Sequence, residues 1–199
     1  MSNSRICELI CTRLSHDIVG NIGAVANAVE LLEEGDMDFI DDIKSILSVS
    51  SKTLSSRLKF FRMVFGLDNS NLQNNDVVIK TAQDYLLTLG NKDFPITLSF
   101  SVTKTDNIKN ALLMVMIMGD VLIRGGTIYV EEIGNALISR IDASAKISTD
   151  KLEKINQSLT NSCQTADAGL AHIAALCEYN KDKKIELLQD NSYITLCLE

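Results

Sequence analysis

The 199-residue sequence predicts an α plus α/β protein, an N-terminal helical hairpin followed by a C-terminal α/β sandwich. Three observations carry that prediction. Apolar residues recur at helical spacing through the first third of the chain. A polar run without periodicity then interrupts it. Beyond the run, a segment alternating at period two and short hairpin-like segments take turns with apolar helical stretches. The division is residues 1–66 for the hairpin, 67–76 for a linker and 77–199 for the sandwich.

In the first helix, Leu14, Ile18, Ile22, Val25, Val29 and Leu32 form one apolar stripe. In the second, Ile40, Ile43, Leu47, Leu54, Leu58, Phe61 and Phe65 form another, interrupted by a polar stretch from Ser48 to Ser56. The turn between them, Glu34-Gly35-Asp36-Met37, is short. Gly35 is a natural helix stop, and Asp36 or Asp38 suits the cap of the helix that follows. A short connection makes the helices antiparallel neighbours, from about Ser4 to Gly66. One such hairpin cannot bury both apolar faces. Pairing with a second copy completes a dimeric four-helix bundle, so a homodimer is expected.

From Gly66 to Asp76 the chain reads Leu-Asp-Asn-Ser-Asn-Leu-Gln-Asn-Asn between those ends, a run with turn formers and no periodicity. Val77 to Leu89 is helical and stops at Gly90. Ile96 to Val102 alternates as a strand, and Ile108 to Ile123 is a strongly apolar helix. Thr127 to Ile133 and Ala136 to Ile141 make a hairpin around Gly134-Asn135. Ala166 to Tyr179 is helical, and Ile185 to Leu188 pairs with Tyr193 to Leu198 across Asp190-Asn191. Helices on one face of a mixed or antiparallel sheet give the sandwich.

Composition narrows the function classes. The hydrophobic share of 46% supplies an ample core, while one proline, no tryptophan and 5% aromatics suit helices packed through small residues. A net charge of −7 with no basic block argues against a nucleic-acid backbone or an anionic membrane surface as partner. No signal peptide is expected. The longest apolar run, Ala111 to Met118, ends at Gly119-Asp120, far short of the ~20 residues a membrane span needs, so a soluble protein is expected. Five cysteines with no regular framework (Cys7, Cys11, Cys163, Cys177 and Cys197) suggest free thiols in a reducing cytoplasm. Cys7 and Cys11 share a helix face, but no further ligands accompany them for zinc.

The chemistry-bearing segment is Leu14-Ser15-His16-Asp17-Ile18-Val19. Imidazole suits phosphoryl carriage near neutral pH, being a nucleophile when neutral and a leaving group when protonated. His16 lies two residues from both Leu14 and Ile18, so at about 100° per residue it points well away from the apolar stripe. Its neighbours along the helix, Thr12, Arg13, Gly20, Gly23 and Asn27, are mostly small or polar. Glycine inside a helix costs up to ~1 kcal/mol against alanine; close access by another protein is a reason for two of them here. On the residues alone, a lone helix histidine is more often structural or simply exposed than reactive. His172, among Ala171, Ile173, Ala174 and Ala175, reads as a packing or surface residue, and Met114, Met116 and Met118 read as core filling.

Ser15-His16-Asp17-Ile18-Val19, then Ile22-Gly23-Ala24-Val25, then Glu30-Leu31-Leu32, resembles the ChpT-like histidine phosphotransferases. These combine a histidine-kinase-like dimerisation and phosphotransfer hairpin with a degenerate ATPase-like domain. The likeness is specific over about twenty residues and looser over the whole chain. Gly20-Asn21 stands where the family usually has Ser-Pro. The resemblance implies a phosphotransferase of a bacterial phosphorelay, shuttling a phosphoryl group between receiver aspartates through phosphohistidine at His16. Asp17 then orients the ring, and Arg13, Gly20, Asn21 and Asn27 are candidate partner contacts. It further implies a CckA-like hybrid kinase as donor, CtrA-like and CpdR-like regulators as acceptors, and Mg²⁺ held by the receiver.

Histidine kinases of the matching fold hold magnesium through an asparagine in the apolar helix and adenine through an Asp-x-Gly-x-Gly turn. Here Leu112 to Met118 offers no amide or carboxylate before Asp120, and Asn110 comes too early. Ser139 to Ala145 has Asp142 but none of the glycines; Arg124-Gly125-Gly126-Thr127 reads as a turn before a strand, and Gly169-Leu170-Ala171 keeps a remnant of a second glycine motif. No ATP and no other cofactor bound by this chain is the expectation. A histidine autokinase and a non-catalytic dimeric adaptor for response regulators are the two alternatives.

Overall fold

The computed structural model describes residues 3–35, 39–67, 69–161 and 167–199. Two long helices, α1 (Asn3–Glu33) and α2 (Ile40–Phe65), form the expected hairpin. Gly35 takes φ +76°, the left-handed conformation that stops a helix cheaply only at glycine. The caps expected at Asp36 or Asp38 lie outside the described residues. Asp41 and Asp42 sit in the first turn of α2, where carboxylates complement the helix dipole.

The polar run after Gly66 is a folded connection. Ser70–Gln73 is a 3₁₀ turn that buries Leu72. Asn74 then caps α3 (Asn75–Leu86), its side chain accepting from the N–H groups of Asp76 and Val77. After it come β1 (Ile96–Ser101), α4 (Thr105–Val121), β2 (Gly126–Ile133), β3 (Ala136–Asp142), α5 (Thr149–Thr160), a 3₁₀ turn at Ala168–Leu170, α6 (Ala171–Tyr179), β4 (Ile185–Gln189) and β5 (Tyr193–Leu198). The sheet order is β1-β2-β3-β5-β4. β1 and β2 are parallel, joined through α4, and the other neighbours are antiparallel.

The period-two residues behave as their spacing requires. Ile128 and Val130, Leu137 and Ile141, Ile194, Leu196 and Leu198 are all buried. They share one core with α4, every residue of which from Asn110 to Gly119 is buried. A helix apolar all round belongs inside, and that is where this one lies. The alternate positions of β2, β3 and β5 include Tyr129, Glu131, Arg140 and Tyr193: the Arg140 guanidinium lies 4.9 Å from the Tyr193 ring centroid and pairs with Glu131 at 2.7 Å. The turn into β2 needs its glycine. Gly125 has φ +59°, and a Cβ there would stand 2.7 Å from the carbonyl oxygen of Pro95.

Three further details differ from the sequence expectation. α5 is an unforeseen helix. Leu152, Ile155 and Leu159 give it a thin apolar stripe in an otherwise polar segment, and the Ser148 side chain caps it. The last helix is α6, starting at Ala171 after the 3₁₀ turn; Ala166 lies outside the described residues. Finally, Cys177 is disulfide-bonded, against the expectation of a free thiol; Cys7, Cys11 and Cys197 are free, and Cys163 lies outside the described residues. Among the described residues no helix is long and apolar enough to cross a membrane.

The hairpin and the sandwich share their interior. Leu9 of α1 and Phe60, Phe61, Met63 and Val64 of α2 belong to the same buried cluster as α4 and the sheet. α1 packs on α6 and the 3₁₀ turn before it, and α2 packs on α3 and α4. The upper part of the hairpin is different. Ile22, Val29, Leu32, Ile46 and Val49 are exposed, beside a groove lined by Val25, Leu47, Ser48, Ser51 and Leu54.

Candidate functional site

α1 presents its polar residues on two faces, and the structure divides the candidate residues between them. His16, Gly20, Gly23 and Asn27, spaced by four, three and four, all face solvent. The His16 side chain is 87% exposed. A Cβ at Gly20 or Gly23 would meet nothing within 4 Å, so nothing described within this chain demands glycine at either position. Asp17, Arg13 and Asn21, also one turn apart, are partly buried and lie on the neighbouring face.

The second face is a hydrogen-bonded cluster between the hairpin and the sandwich. Arg13 Nε donates to Asp17 Oδ2 at 2.8 Å, and Arg13 Nη2 donates to both oxygens of Asp120, at 2.9 and 3.2 Å. Arg13 Nη1 donates to the Gly169 carbonyl at 3.0 Å. Burial alone would lower the Arg13 pKa, but the Asp120 and Asp17 carboxylates outweigh it and hold the guanidinium above its usual range. The Asp17 backbone carbonyl accepts from Arg57 Nη1 at 2.7 Å, and Arg57 Nε reaches Thr88 Oγ1 at 3.2 Å. Asn21 Nδ2 lies 3.5 Å from the same Asp17 carbonyl. The remaining Asp17 oxygen, Oδ1, stands 3.4 Å from His16 Nδ1. One carboxylate therefore bridges the exposed histidine and the half-buried arginine.

Two buried groups flank this cluster without a hydrogen-bond partner among the described residues: the Tyr85 hydroxyl and both ring nitrogens of His172. Burial raises the Tyr85 pKa, with Asp120 adding to it. Burial pushes His172 down to about 4, against the pull of Asp120, whose Oδ2 lies 3.7 Å from Nε2. His172 is thus neutral near pH 7 and buried, the packing alternative of the sequence reading.

Arg13, Asp120, Lys151, Ile155, Gly169 and His172 line a cavity of about 170 Å³ where α4, α5 and α6 meet. The Asn110 amide, the nearest thing to a metal-holding asparagine in the apolar helix, is tied reciprocally to Asn180 at 2.9 and 3.1 Å. Among the described residues no cluster of three or more His, Cys, Asp or Glu side chains could hold a metal ion. Sequence reasoning singled out His16, Asp17 and Arg13 but missed Arg57, Asp120 and the Gly169 carbonyl. Asp120 carried a signal: it is the carboxylate that closes an otherwise apolar run.

No family model matches the chain. Over 62 residues it is 42% identical to the protein phosphotransferase ChpT of Brucella abortus (strain 2308), a stretch covering 31% of this chain and 29% of that protein. The fold is shared with the solved structure of a bacterial phosphotransferase, at TM-score 0.77 and 22% identity, over 100% of this chain and 98% of that one. The histidine kinase AdeS of Acinetobacter baumannii aligns at TM-score 0.42 and 14% identity, over 92% and 95% of the two chains. The fold is therefore that of a bacterial phosphotransferase. Over those 62 residues the chain is similar to ChpT, and it spans less than a third of that protein in the match.

Proposed function

We propose that this chain is a histidine phosphotransferase of a two-component phosphorelay, carrying a phosphoryl group between receiver-domain aspartates on His16. The observation that carries the reading is the pairing of a side chain 87% exposed with a largely buried carboxylate 3.4 Å from its Nδ1. A carboxylate accepts only, so this contact favours the Nδ1–H tautomer and leaves the Nε2 lone pair free. Nε2 attacks the phosphorus of the receiver's aspartyl phosphate, forming the N–P bond. The P–O bond breaks, and its electron pair leaves with the aspartate carboxylate. Asp17 offsets the positive charge on the ring. The second receiver reverses these steps, and Mg²⁺ on the receiver offsets charge on the phosphoryl oxygens. The open surface over Gly20 and Gly23 gives a receiver room to approach His16 closely.

In this reading the sandwich binds no ATP. Asn110 is committed to Asn180, Gly169 offers its carbonyl to Arg13, and the about 170 Å³ left between the helices is small for a nucleotide. Donors and acceptors would resemble CckA on one side and CtrA and CpdR on the other, and the protein would work in the cytoplasm beside them. The exposed Ile22, Val29, Leu32, Ile46 and Val49 would be covered by a second copy. Ile22→Glu is then expected to convert a dimer to monomers in light scattering, because a buried unpaired charge costs several kcal/mol. A monomeric wild type at micromolar concentration would sink the dimer.

The deciding experiment mixes the protein with a phosphorylated receiver and then with an unphosphorylated one. Label should pass through the wild type, fall to background in His16→Ala, and never enter from ATP alone. Labelling from ATP would make the chain an autokinase. No transfer from any cognate receiver would leave the adaptor.

A further inference from the structure

We propose that Asp120, at the end of α4 in the sandwich, is a positioning residue for His16, acting through Arg13 and Asp17. The inference rests on the phosphotransfer reading above and adds a member to the machinery from outside the hairpin. A carboxylate closing the buried run of α4 needs a partner, and Arg13 supplies one with the edge of a planar fork. That fork is held on three sides, by Asp120, by Asp17 Oδ2 and by the Gly169 carbonyl. A guanidinium so fixed cannot turn to take both oxygens of Asp17. Oδ2 stays with Arg13, and Oδ1 is left for His16.

The adjustable part of this chain is the Asp17 carboxylate itself. Arg57 pins the Asp17 backbone carbonyl at 2.7 Å, which holds the main chain in place and leaves the carboxylate as the part that can turn. Adjacent helical side chains diverge by about 100°, so the His16–Asp17 contact exists only if the carboxylate is turned toward the ring. Without Asp120, the i,i+4 pair of Arg13 and Asp17 is free to close into a two-oxygen fork, which withdraws Oδ1 from Nδ1. The fraction of Nδ1–H tautomer then falls, and with it the fraction of rings whose Nε2 lone pair meets phosphorus.

The test uses the full chain and its two histidines, read by ¹⁵N chemical shifts of the neutral imidazoles. In Asp120→Asn the Nδ1–H fraction of His16 should fall, and the single-turnover rate of label uptake from a phosphorylated receiver should drop about tenfold. Receiver affinity should not change. Asp120→Glu, which restores the charge, should recover both signals. Arg13→Lys, which keeps charge but loses the fork, should move the tautomer ratio in the same direction and covers the case that Asp120→Asn does not fold. Lowered thermal stability with an unchanged tautomer ratio and rate would overturn the proposal, as would a rate loss traced wholly to weaker receiver binding. The imidazole spectrum needs no receiver. A wild type that takes up no label would therefore refute phosphotransfer, and the spectrum would still decide whether Asp120 sets the ring.

Discussion

Phe60→Ala is expected to cost about 3–5 kcal/mol of stability and lower the melting temperature by about 10 °C. Phe60 is fully buried on α2, stacked on Tyr85 of α3 with centroids 4.0 Å apart and planes within 6°, and Phe61 meets both rings edge-on. Truncation leaves a ring-sized hole that α2, α3 and α4 cannot all close. The loss also strips the Tyr85 ring of its stacking partner beneath a hydroxyl that has no hydrogen-bond partner among the described residues. Leu58→Ala is the control: on the same helix but 48% exposed, it should change stability by less than about 1 kcal/mol. Equal melting temperatures for the two variants in calorimetry would show that the aromatic stack does not join the hairpin to the sandwich.

Acid should destabilise the protein through His172. Its folded pKa, pushed down by burial to about 4 from an ordinary value of 6.5, lies below that of the unfolded chain. The unfolded state therefore binds the extra proton between those values. The contribution of His172 is complete above about pH 6.5 and is lost as pH falls toward 4. A shift of this size corresponds to roughly 2–3 kcal/mol between pH 7.5 and 4.5. His172→Leu, similar in bulk and without a titrating group, should remove that share of the acid sensitivity. Urea unfolding of both proteins across this range measures it. Parallel pH profiles would mean that the imidazole is solvated in the native state.

Much of the hairpin could be read from the sequence because its signals are local. Helical spacing, Gly35 and a short turn are enough for α1 and α2, and period two is enough for β1 to β3 and β5. The run after Gly66 misled for the same reason: Asn74 as a cap and Leu72 as a plug look like any polar stretch until the neighbouring core is in place. α5 escaped because three apolar residues on one edge are too thin a stripe to stand out. At the site, exposure of His16 followed from its angle to the apolar stripe. The commitment of Arg13 did not. Its partner Asp120, at the end of α4, is distant in sequence and meets Arg13 only in the folded chain. Long-range pairings of charge leave no periodic trace in a single sequence.

The two polar faces of α1 insulate one kind of evolutionary change from another. Residues 20, 23 and 27 are exposed, and a Cβ at 20 or 23 would meet nothing within 4 Å, so under the proposed function substitutions there would be judged by the receiver that docks. Residues 13, 17 and 21 answer to the interior of the molecule. Under the proposed function, a lineage could exchange one receiver for another by walking along the first face without renegotiating the fold. The two registers interleave residue by residue in a single helix, so in a family of such proteins variable positions should alternate closely with fixed ones and not segregate into blocks.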